Sequence, residues 1–106
     1  MNEQWIRDRL GICSWSLHAK DPADLVGQMK QLNLKKVQLN LGTVIKESAW
    51  SNVGTDLKNA GITIASGMMG CVGEDYSSIA NIRRTGGVVP DNTWPATLEN
   101  MKKAAP

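Results

Sequence analysis

The feature that most constrains the fold is an alternation of short apolar segments with stretches of helical periodicity. The apolar segments are 10–17, 37–41 and 62–69, and each has the length and composition of a strand. Helical patterns separate them, so consecutive strands run in the same direction and are joined by right-handed crossovers. The sequence therefore predicts an α/β protein with a parallel sheet. Two architectures fit: a small doubly wound sheet, or the first three strands of an incomplete (β/α)8 barrel.

The first predicted helix begins after Asp21, a good N-cap residue that is followed by Pro22 at the first helical position. Asp24 lies where a capping-box acid would reach back, and Asn33 can end the helix. The apolar face, with residues four and three apart, comprises Leu25, Met29 and Leu32. The predicted strand 37–41 follows almost at once.

Two further helices are predicted by the same spacing. The second spans 49–60, with Ser48 as its cap and Gly61 as its left-handed terminator. Its apolar face comprises Trp50, Val53, Leu57 and Ala60. The last helix follows Thr93 as a cap, and its apolar face comprises Trp94, Leu98, Met101 and Ala105.

A long connection, 70–92, separates the third strand from the last helix. It contains four glycines and one proline, with one helical turn predicted around 77–82. Connections of this length in compact domains tend to be functional or disordered. The remaining segment, 1–9, is polar, and the predicted organisation is one domain over residues 1–106.

Alternating polarity in the middle strand favours the barrel. Val37, Leu39 and Leu41 share one side of an extended chain, whereas Gln38 and Asn40 share the other. In a barrel the outer side of each strand packs on helices, and the inner side near the carboxyl end lines the active site. The amides are therefore predicted to point into a ligand cavity. The alternative is that they hydrogen-bond one another, because buried amides need partners.

A dinucleotide-binding sheet is disfavoured, since the segment after the first strand reads CSWSLHAKD and not G-x-G-x-x-G. Gly67, Gly70 and Gly73 follow the third strand at the wrong spacing and are interpreted as turn glycines. The net charge of +2 is scattered, which argues against nucleic-acid binding.

Cellular location is predicted from three features of the sequence. The first residues, MNEQWIRDR, are too polar for the apolar region of a signal peptide. No run approaches the roughly 18 apolar residues of a membrane helix. Cys13 and Cys71 form neither a C-x-x-C nor a Cys/His pattern, which indicates small buried thiols in a reducing compartment. The prediction is a cytoplasmic protein with no membrane contact.

Three stretches, GICSWSLH, DPADLVGQMKQLNLKKVQLNL and AGITIASGMMGCVGEDYSSIANIRRTGGVVPDNTW, occur in this order. Together they resemble the N-terminal part of the sugar phosphate isomerase/epimerase family, whose barrel is like that of xylose isomerase and related to that of endonuclease IV. The resemblance runs from about Leu10 to the end, and EDYSSIANIRRTGGVVPD is its most distinctive piece.

The resemblance implies a divalent metal (Mn, Mg or Zn) held by Glu, Asp and His from later strands, with ligands outside this chain. It also implies proton transfer beside a carbonyl, by acidic residues that cannot be mapped here, so no catalytic residue is assigned. Many relatives have a glutamate where this chain has Gln38, and an amide cannot act as a general base. His18, which has no partner carboxylate nearby in sequence, is interpreted as a rim or surface residue.

For the residues of this chain, the resemblance implies one wall of a substrate pocket. The predicted substrate-binding residues are Trp15, Gln38, Asn40, Ser66, Met68, Glu74 and Arg84. Trp15 would stack on a sugar ring, the amides would bond hydroxyls, and the charged residues of the long connection would fold over the pocket. Core packing of Trp15 and Met68, and a solvated charged loop, remain the alternatives.

A complete barrel needs about 250 residues, so either this chain is an N-terminal portion or copies of it associate. The leading prediction is part of a metal-dependent sugar or sugar phosphate isomerase or epimerase, inactive as this chain alone. One alternative is a non-catalytic fragment or subunit that associates through its exposed sheet. A further alternative is a DNA-repair enzyme like endonuclease IV.

Overall fold

An open sheet of three parallel strands, in the order β1-β2-β3, organises the first part of the molecule. In the computed structural model, which describes residues 2–105, the strands are β1 (Ile12–Cys13), β2 (Lys36–Asn40) and β3 (Thr63–Met68). Cys13 lies beside Gln38, and β3 follows β2 with one register shift, between Val37 and Gln38. The predicted mixed α/β class with a parallel sheet is confirmed.

Helices surround and follow this sheet. The α-helices are α1 (Glu3–Arg7), α2 (Pro22–Leu32), α3 (Leu41–Lys46), α4 (Val53–Asn59), α5 (Ile79–Thr85) and α6 (Trp94–Ala104), with 3-10 helices at Ser14–Leu17 and Ser48–Trp50. The chain divides into two compact units, the first ending at Met68 and the second beginning at Met69. Among residues 2–105, no helix combines the length and apolarity that crossing a membrane requires.

The core of the first unit lies on one side of the sheet. Val37 and Leu39 of β2 are almost completely buried, as the alternation predicts. They belong to one cluster with side chains of α2, α4 and the segments beside them, namely Leu25, Met29, Trp50, Val53, Leu57 and Ile62. Since side chains alternate along a strand, Gln38 and Asn40 lie on the side of the sheet opposite this cluster.

The residues predicted to cap the two ends of α2 are confirmed. Asp21 Oδ1 accepts the N–H of Asp24 at 2.7 Å, and the carboxylate of Asp24 reaches back to the N–H of Lys20 at 2.9 Å. Asn33 ends the helix with φ +55°, and Gly61 has φ +76° before β3. Leu32 is 45% exposed, contrary to the predicted apolar face, because the chain reverses after it.

The first predicted strand is wrong in length. Only Ile12 and Cys13 are extended, and the residues from Ser14 to Leu17 form a 3-10 helix. The buried Ser14 Oγ accepts the N–H of Asn40 at 2.9 Å, so a side chain provides the acceptor that a longer β1 would have supplied. The chain can therefore turn away from the sheet two residues after β1 begins.

The second strand also ends earlier than predicted. Asn40 Oδ1 accepts the N–H of Gly42 at 3.0 Å and thereby caps α3, which the sequence pattern did not predict. Leu41 is therefore helical, although it still packs against the core cluster. The predicted helix 49–60 is shorter in the structure, where α4 follows a 3-10 turn and Ser48 lies in that turn without capping α4.

In the second unit, α5 begins after Ser78, whose Oγ accepts the N–H of Asn81 at 3.1 Å. The helix extends beyond the single turn predicted around 77–82. In α6 the most buried residue is Thr97, whose Oγ1 accepts the N–H of Val72 at 3.0 Å. This bond places Thr97 at the centre of the buried side, and Trp94 on the predicted apolar face is 38% exposed.

Candidate functional site

A cavity of about 200 Å³ opens at the carboxyl ends of β1 and β2. The residues that line it are Ser14, Trp15, His18, Ala19, Asn40, Thr43 and Trp50. The first four follow β1, the next two lie at the end of β2 and in α3, and Trp50 comes from the core. Ligands of parallel α/β sheets bind at this edge, where the strands end and the loops begin.

The polar part of the cavity is held in place by the backbone around Asn40. Its main-chain N–H is fixed by Ser14 Oγ, and its Oδ1 is fixed by the N–H of Gly42. No protein acceptor for the Asn40 Nδ2 donors occurs among residues 2–105. The amide therefore carries out a structural role with its oxygen and retains its NH2 group for a ligand.

The apolar part of the cavity consists of two indole rings. Trp15 is half-buried and Trp50 is 3% exposed. Trp50 Nε1 is buried and has no hydrogen-bond partner within the described chain. A buried donor without an acceptor costs about 1–3 kcal/mol.

His18 lies at the exposed side of the same cavity and has left-handed backbone angles, φ 48° and ψ 39°. Histidine tolerates this region better than most residues, but such a position is uncommon outside turns and functional sites. The turn directs the chain from the 3-10 helix towards α2. It also places His18 in the lining of the same cavity as Trp15.

Gln38, Ser66 and Met68 do not line this cavity. Gln38 lies between Cys13 and Ser66 in the sheet, and Asn40 lies beside Met68. The thiol of Cys13 donates to Gln38 Oε1 at 3.5 Å, a weak bond, and no bond joins Gln38 to Asn40 among the described residues. Gln38 and Ser66 therefore form a polar row on the side of the sheet opposite the core cluster, where Asn40 also lies.

Glu74 and Arg84 belong to the second unit. The carboxylate of Glu74 accepts the N–H of Cys71 at 2.7 Å, the hydroxyl of Tyr76 at 2.5 Å and the N–H of Gly87 at 3.3 Å. These bonds, that of Tyr76 first, hold the pKa of Glu74 below its usual range and raise the pKa of Tyr76. Arg84 donates to Asn81 Oδ1 at 3.1 Å. In this arrangement Glu74 organises its own loop.

Sequence reasoning did not select Trp50, Thr43 or His18 for the site. Trp50 was assigned to a helical apolar face, which its burial fits, and His18 to the rim. Thr43 carried no signal, because the helix that contains it was not predicted. A rule that collects every polar or aromatic residue within a few positions of a parallel strand's carboxyl end would have found His18 and Thr43.

The donor set of the cavity does not by itself fit a divalent metal. It offers one imidazole, one amide and two hydroxyls, whereas Mg²⁺, Mn²⁺ and Zn²⁺ sites in proteins use carboxylates, imidazoles or thiolates together. Among residues 2–105 there is no group of three or more His, Cys, Asp or Glu side chains suited to a metal. Comparison with known proteins finds no matching family model, no matching curated protein and no matching solved structure.

Proposed function

We propose that the chain is the N-terminal portion of a metal-dependent sugar or sugar phosphate isomerase or epimerase with a (β/α)8-barrel fold. In this proposal the cavity at the carboxyl ends of β1 and β2 binds the sugar. The three parallel strands would be the first three of the barrel. The metal ligands and the acid and base would come from later strands, so no catalytic step is assigned to residues of this chain. The free thiols Cys13 and Cys71 fit a cytoplasmic location.

The observation that carries the proposal is the combination of two indole-bearing residues, the Nδ2 donors of Asn40 and the imidazole of His18 in the lining of one small cavity. Sugars present apolar C–H faces and many hydroxyl oxygens, so their sites combine flat aromatic surfaces with precisely placed polar groups. Trp15 would offer the flat surface, while Asn40 Nδ2–H would donate to a hydroxyl oxygen. His18, at the exposed side, would bond a further hydroxyl.

The polar row beside the cavity extends this surface. Gln38 and Ser66 are neighbours on the side of the sheet opposite the core cluster, which in a closed barrel would be the interior. Gln38 would hold a hydroxyl without taking a proton from it, because an amide has no basic lone pair in this pH range. The residues of this chain would thus position the substrate and leave proton transfer to groups elsewhere.

Sugar binding can be tested by indole fluorescence in a Trp5→Phe, Trp94→Phe background, in which only the two cavity tryptophans remain. We expect saturable changes with ketoses and alditols at millimolar concentrations, about 1–50 mM. Asn40→Asp keeps the oxygen that caps α3 but removes the NH2 donors, and should weaken binding by about five- to tenfold. Thr55→Ala, on the exposed part of α4, is the matched control and should bind normally.

Absence of any sugar response in the correctly folded chain would contradict the pocket assignment. Turnover assays with added Mn²⁺, Mg²⁺ or Zn²⁺ test the second part of the proposal, and we expect no aldose–ketose conversion by these 106 residues alone. Stoichiometric metal binding together with turnover would show that the metal ligands lie within this chain, contrary to the proposal.

A second candidate function is a non-catalytic subunit in which two copies pair through their sheets. All six residues of β3 are exposed, and the strand TIASGM contains neither charge nor proline. An edge of this kind is suited to pairing with another strand. Light scattering on the native chain and on Ala65→Lys would test it: a native dimer that the lysine dissociates supports pairing, and a native monomer rejects it.

A further inference from the structure

A second cavity, of about 360 Å³, lies at the amino-terminal end of β2 and β3, and its charged lining is mainly cationic. Arg7, Lys35 and Lys36 line it together with one carboxylate, Asp8. From Lys36 to Asn40 the strand spans about 13 Å, so this cavity is separate from the candidate sugar site at the other end of the sheet. We propose that it binds an anion of the phosphate type, as carried by a small phosphorylated molecule.

Lys36 is positioned for this role by a backbone contact. Its Nζ donates to the carbonyl oxygen of Asp8 at 2.6 Å, which orders the side chain without neutralising its charge. An ammonium group has three donors, so two of them remain for another acceptor. The carboxylate of Asp8 already accepts the amide of Gln4 at 2.7 Å through Oδ1.

Lys35 has neither an ion pair nor a side-chain hydrogen bond with any of residues 2–105. Its backbone is nevertheless fixed, since its carbonyl oxygen accepts the N–H of Thr63 at 2.8 Å. Burying or clustering like charges is unfavourable unless a counter-charge is near. Two lysines that are adjacent in sequence, line the same cavity and have no ion pair within the described residues therefore make a local site that attracts anions.

Arg7 contributes less charge than the two lysines. Its guanidinium is paired with Glu3, with Nη2 and Oε1 2.7 Å apart, and its Nη1 donates to the carbonyl oxygen of Leu32 at 3.4 Å. Arg7 thus fastens α1 to the end of α2 and forms one wall of the cavity. Thr63 and Asn33 add a hydroxyl and an amide to the lining, groups that commonly bond phosphate oxygens.

Stabilisation of helix ends does not account for Lys35, and it accounts for only one donor of Lys36. The carboxyl ends of α2 and α4 point towards this edge, and cations are favourable there. However, carbonyl groups near the end of each helix already accept backbone donors. In α2 the N–H of Asn33 donates to the carbonyl oxygen of Lys30 at 3.1 Å, and in α4 the N–H of Ile62 donates to the carbonyl oxygen of Leu57 at 2.9 Å. Lys35 bonds no helix carbonyl in the described residues, and Lys36 uses one of its three donors on the carbonyl of Asp8, the C-cap residue of α1.

The test is a titration of the ¹⁵N-labelled chain with inorganic pyrophosphate at low ionic strength, followed by amide chemical shifts. We expect saturable shifts confined to residues 4–8, 33–36 and 61–63, with a Kd below about 10 mM. Lys35→Gln should weaken binding by about two- to fivefold, the range for one exposed charge pair. The Lys35→Gln substitution should leave the fold intact, because the Lys35 side chain makes no hydrogen bond or ion pair with any of residues 2–105. Binding should also weaken with added salt.

Lys58→Gln is the matched control, because it removes the same charge from the exposed part of α4 outside the cavity. It should change the Kd by less than about twofold. An equal loss in both variants would show diffuse attraction to net positive charge and overturn the site. Shifts at other residues, or none up to about 10 mM, would also overturn it. If a single-stranded oligonucleotide bound more tightly than pyrophosphate, the ligand would be a nucleic-acid backbone and not a small anion, and the proposal would be rejected.

The outcome is independent of sugar binding. The two cavities share no lining residue, so pyrophosphate shifts at the amino-terminal edge can occur whether or not sugars affect the indole fluorescence. If both occur, the site at the amino-terminal edge is a second ligand site on the same sheet.

Discussion

Gly67 in β3 allows Leu41 to pack directly over the strand. A Cβ at residue 67 would lie 2.6 Å from Leu41 Cδ1 and 2.9 Å from its Cγ. Non-bonded carbon atoms are most favourable at about 3.5–4.0 Å, so Gly67→Ala requires the leucine to rotate or the strand to shift. Overpacking of this kind costs about 1–3 kcal/mol. Because Leu41 is a half-buried side chain that can move, we expect about 1–2 kcal/mol.

The loss is measurable as a shift in urea unfolding, followed by indole fluorescence in a Trp94→Phe background. The remaining tryptophans, Trp5, Trp15 and Trp50, all lie in the first unit and report its unfolding. In thermal unfolding, 1 kcal/mol corresponds to about 4–8 °C for a domain of this size.

Two comparisons decide whether the close approach is the cause. In a Leu41→Ala background the cost of Gly67→Ala should fall close to zero, which gives a coupling energy of about 1 kcal/mol or more. Gly27→Ala is the control, since nothing lies within 4 Å of its added Cβ and it occupies the interior of α2. It should stabilise the chain by about 0.5–1 kcal/mol. If Gly67→Ala behaved like Gly27→Ala, or kept its full cost without Leu41, the reasoning would be refuted.

Three further changes test other parts of the structure. Ser14→Ala removes a buried hydroxyl that accepts a backbone N–H, and should lower the unfolding free energy by about 1–3 kcal/mol in the same urea assay. Leu57→Ala empties a fully buried position in the core and should cost about 2–5 kcal/mol; a cost below 1 kcal/mol would contradict the assigned core. The pKa of Glu74 is lowered, chiefly by the hydroxyl of Tyr76. The ionised carboxylate therefore stabilises the loop fully above the ordinary carboxyl pKa of about 4.3, and this stabilisation is lost as the pH falls through the lowered pKa. Hydrogen-exchange protection of the Cys71 amide should therefore decrease in acid in the native chain and stay nearly constant in Glu74→Gln, and identical profiles would exclude this role.

The parts of the fold that sequence reasoning located are those set by local chemistry. Asp21 and Asn33 act within a few residues of themselves, as a cap and a left-handed terminator, so their types and positions suffice. The same holds for Gly61. The side of β2 that carries Val37 and Leu39 was also predictable, because burial on one face follows from alternation alone.

The errors occur where distant residues decide the local structure. The short β1 depends on a bond between Ser14 and Asn40, which are 26 residues apart. The start of α3 depends on the same Asn40, whose side chain competes with the continuation of the strand. Serine and asparagine side chains can form many alternative hydrogen bonds with the backbone. The apolar spacing on both sides of Asn40 is also compatible with a longer strand.

The candidate site was only partly predictable for a related reason. Asn40 was predicted from the alternation in the middle strand and Trp15 from the family resemblance, and both line the cavity. Trp50 has the spacing of a core residue and is one; its additional feature, a buried Nε1–H without an acceptor in the described chain, exists only in three dimensions. Gln38 was predicted from alternation and Ser66 was among the predicted substrate-binding residues, but their position side by side required the register of the sheet.

One consequence of the geometry at Asn40 concerns how natural variants of this chain should be interpreted. Its oxygen starts a helix and its main chain anchors the preceding turn, so replacement by residues other than Asp, Ser, Thr or Gly would be penalised before any ligand is considered. Invariance at this position among homologues would thus reflect folding as much as recognition. Substitution to aspartate, which preserves the cap but removes the NH2 donors, would be the informative evolutionary change.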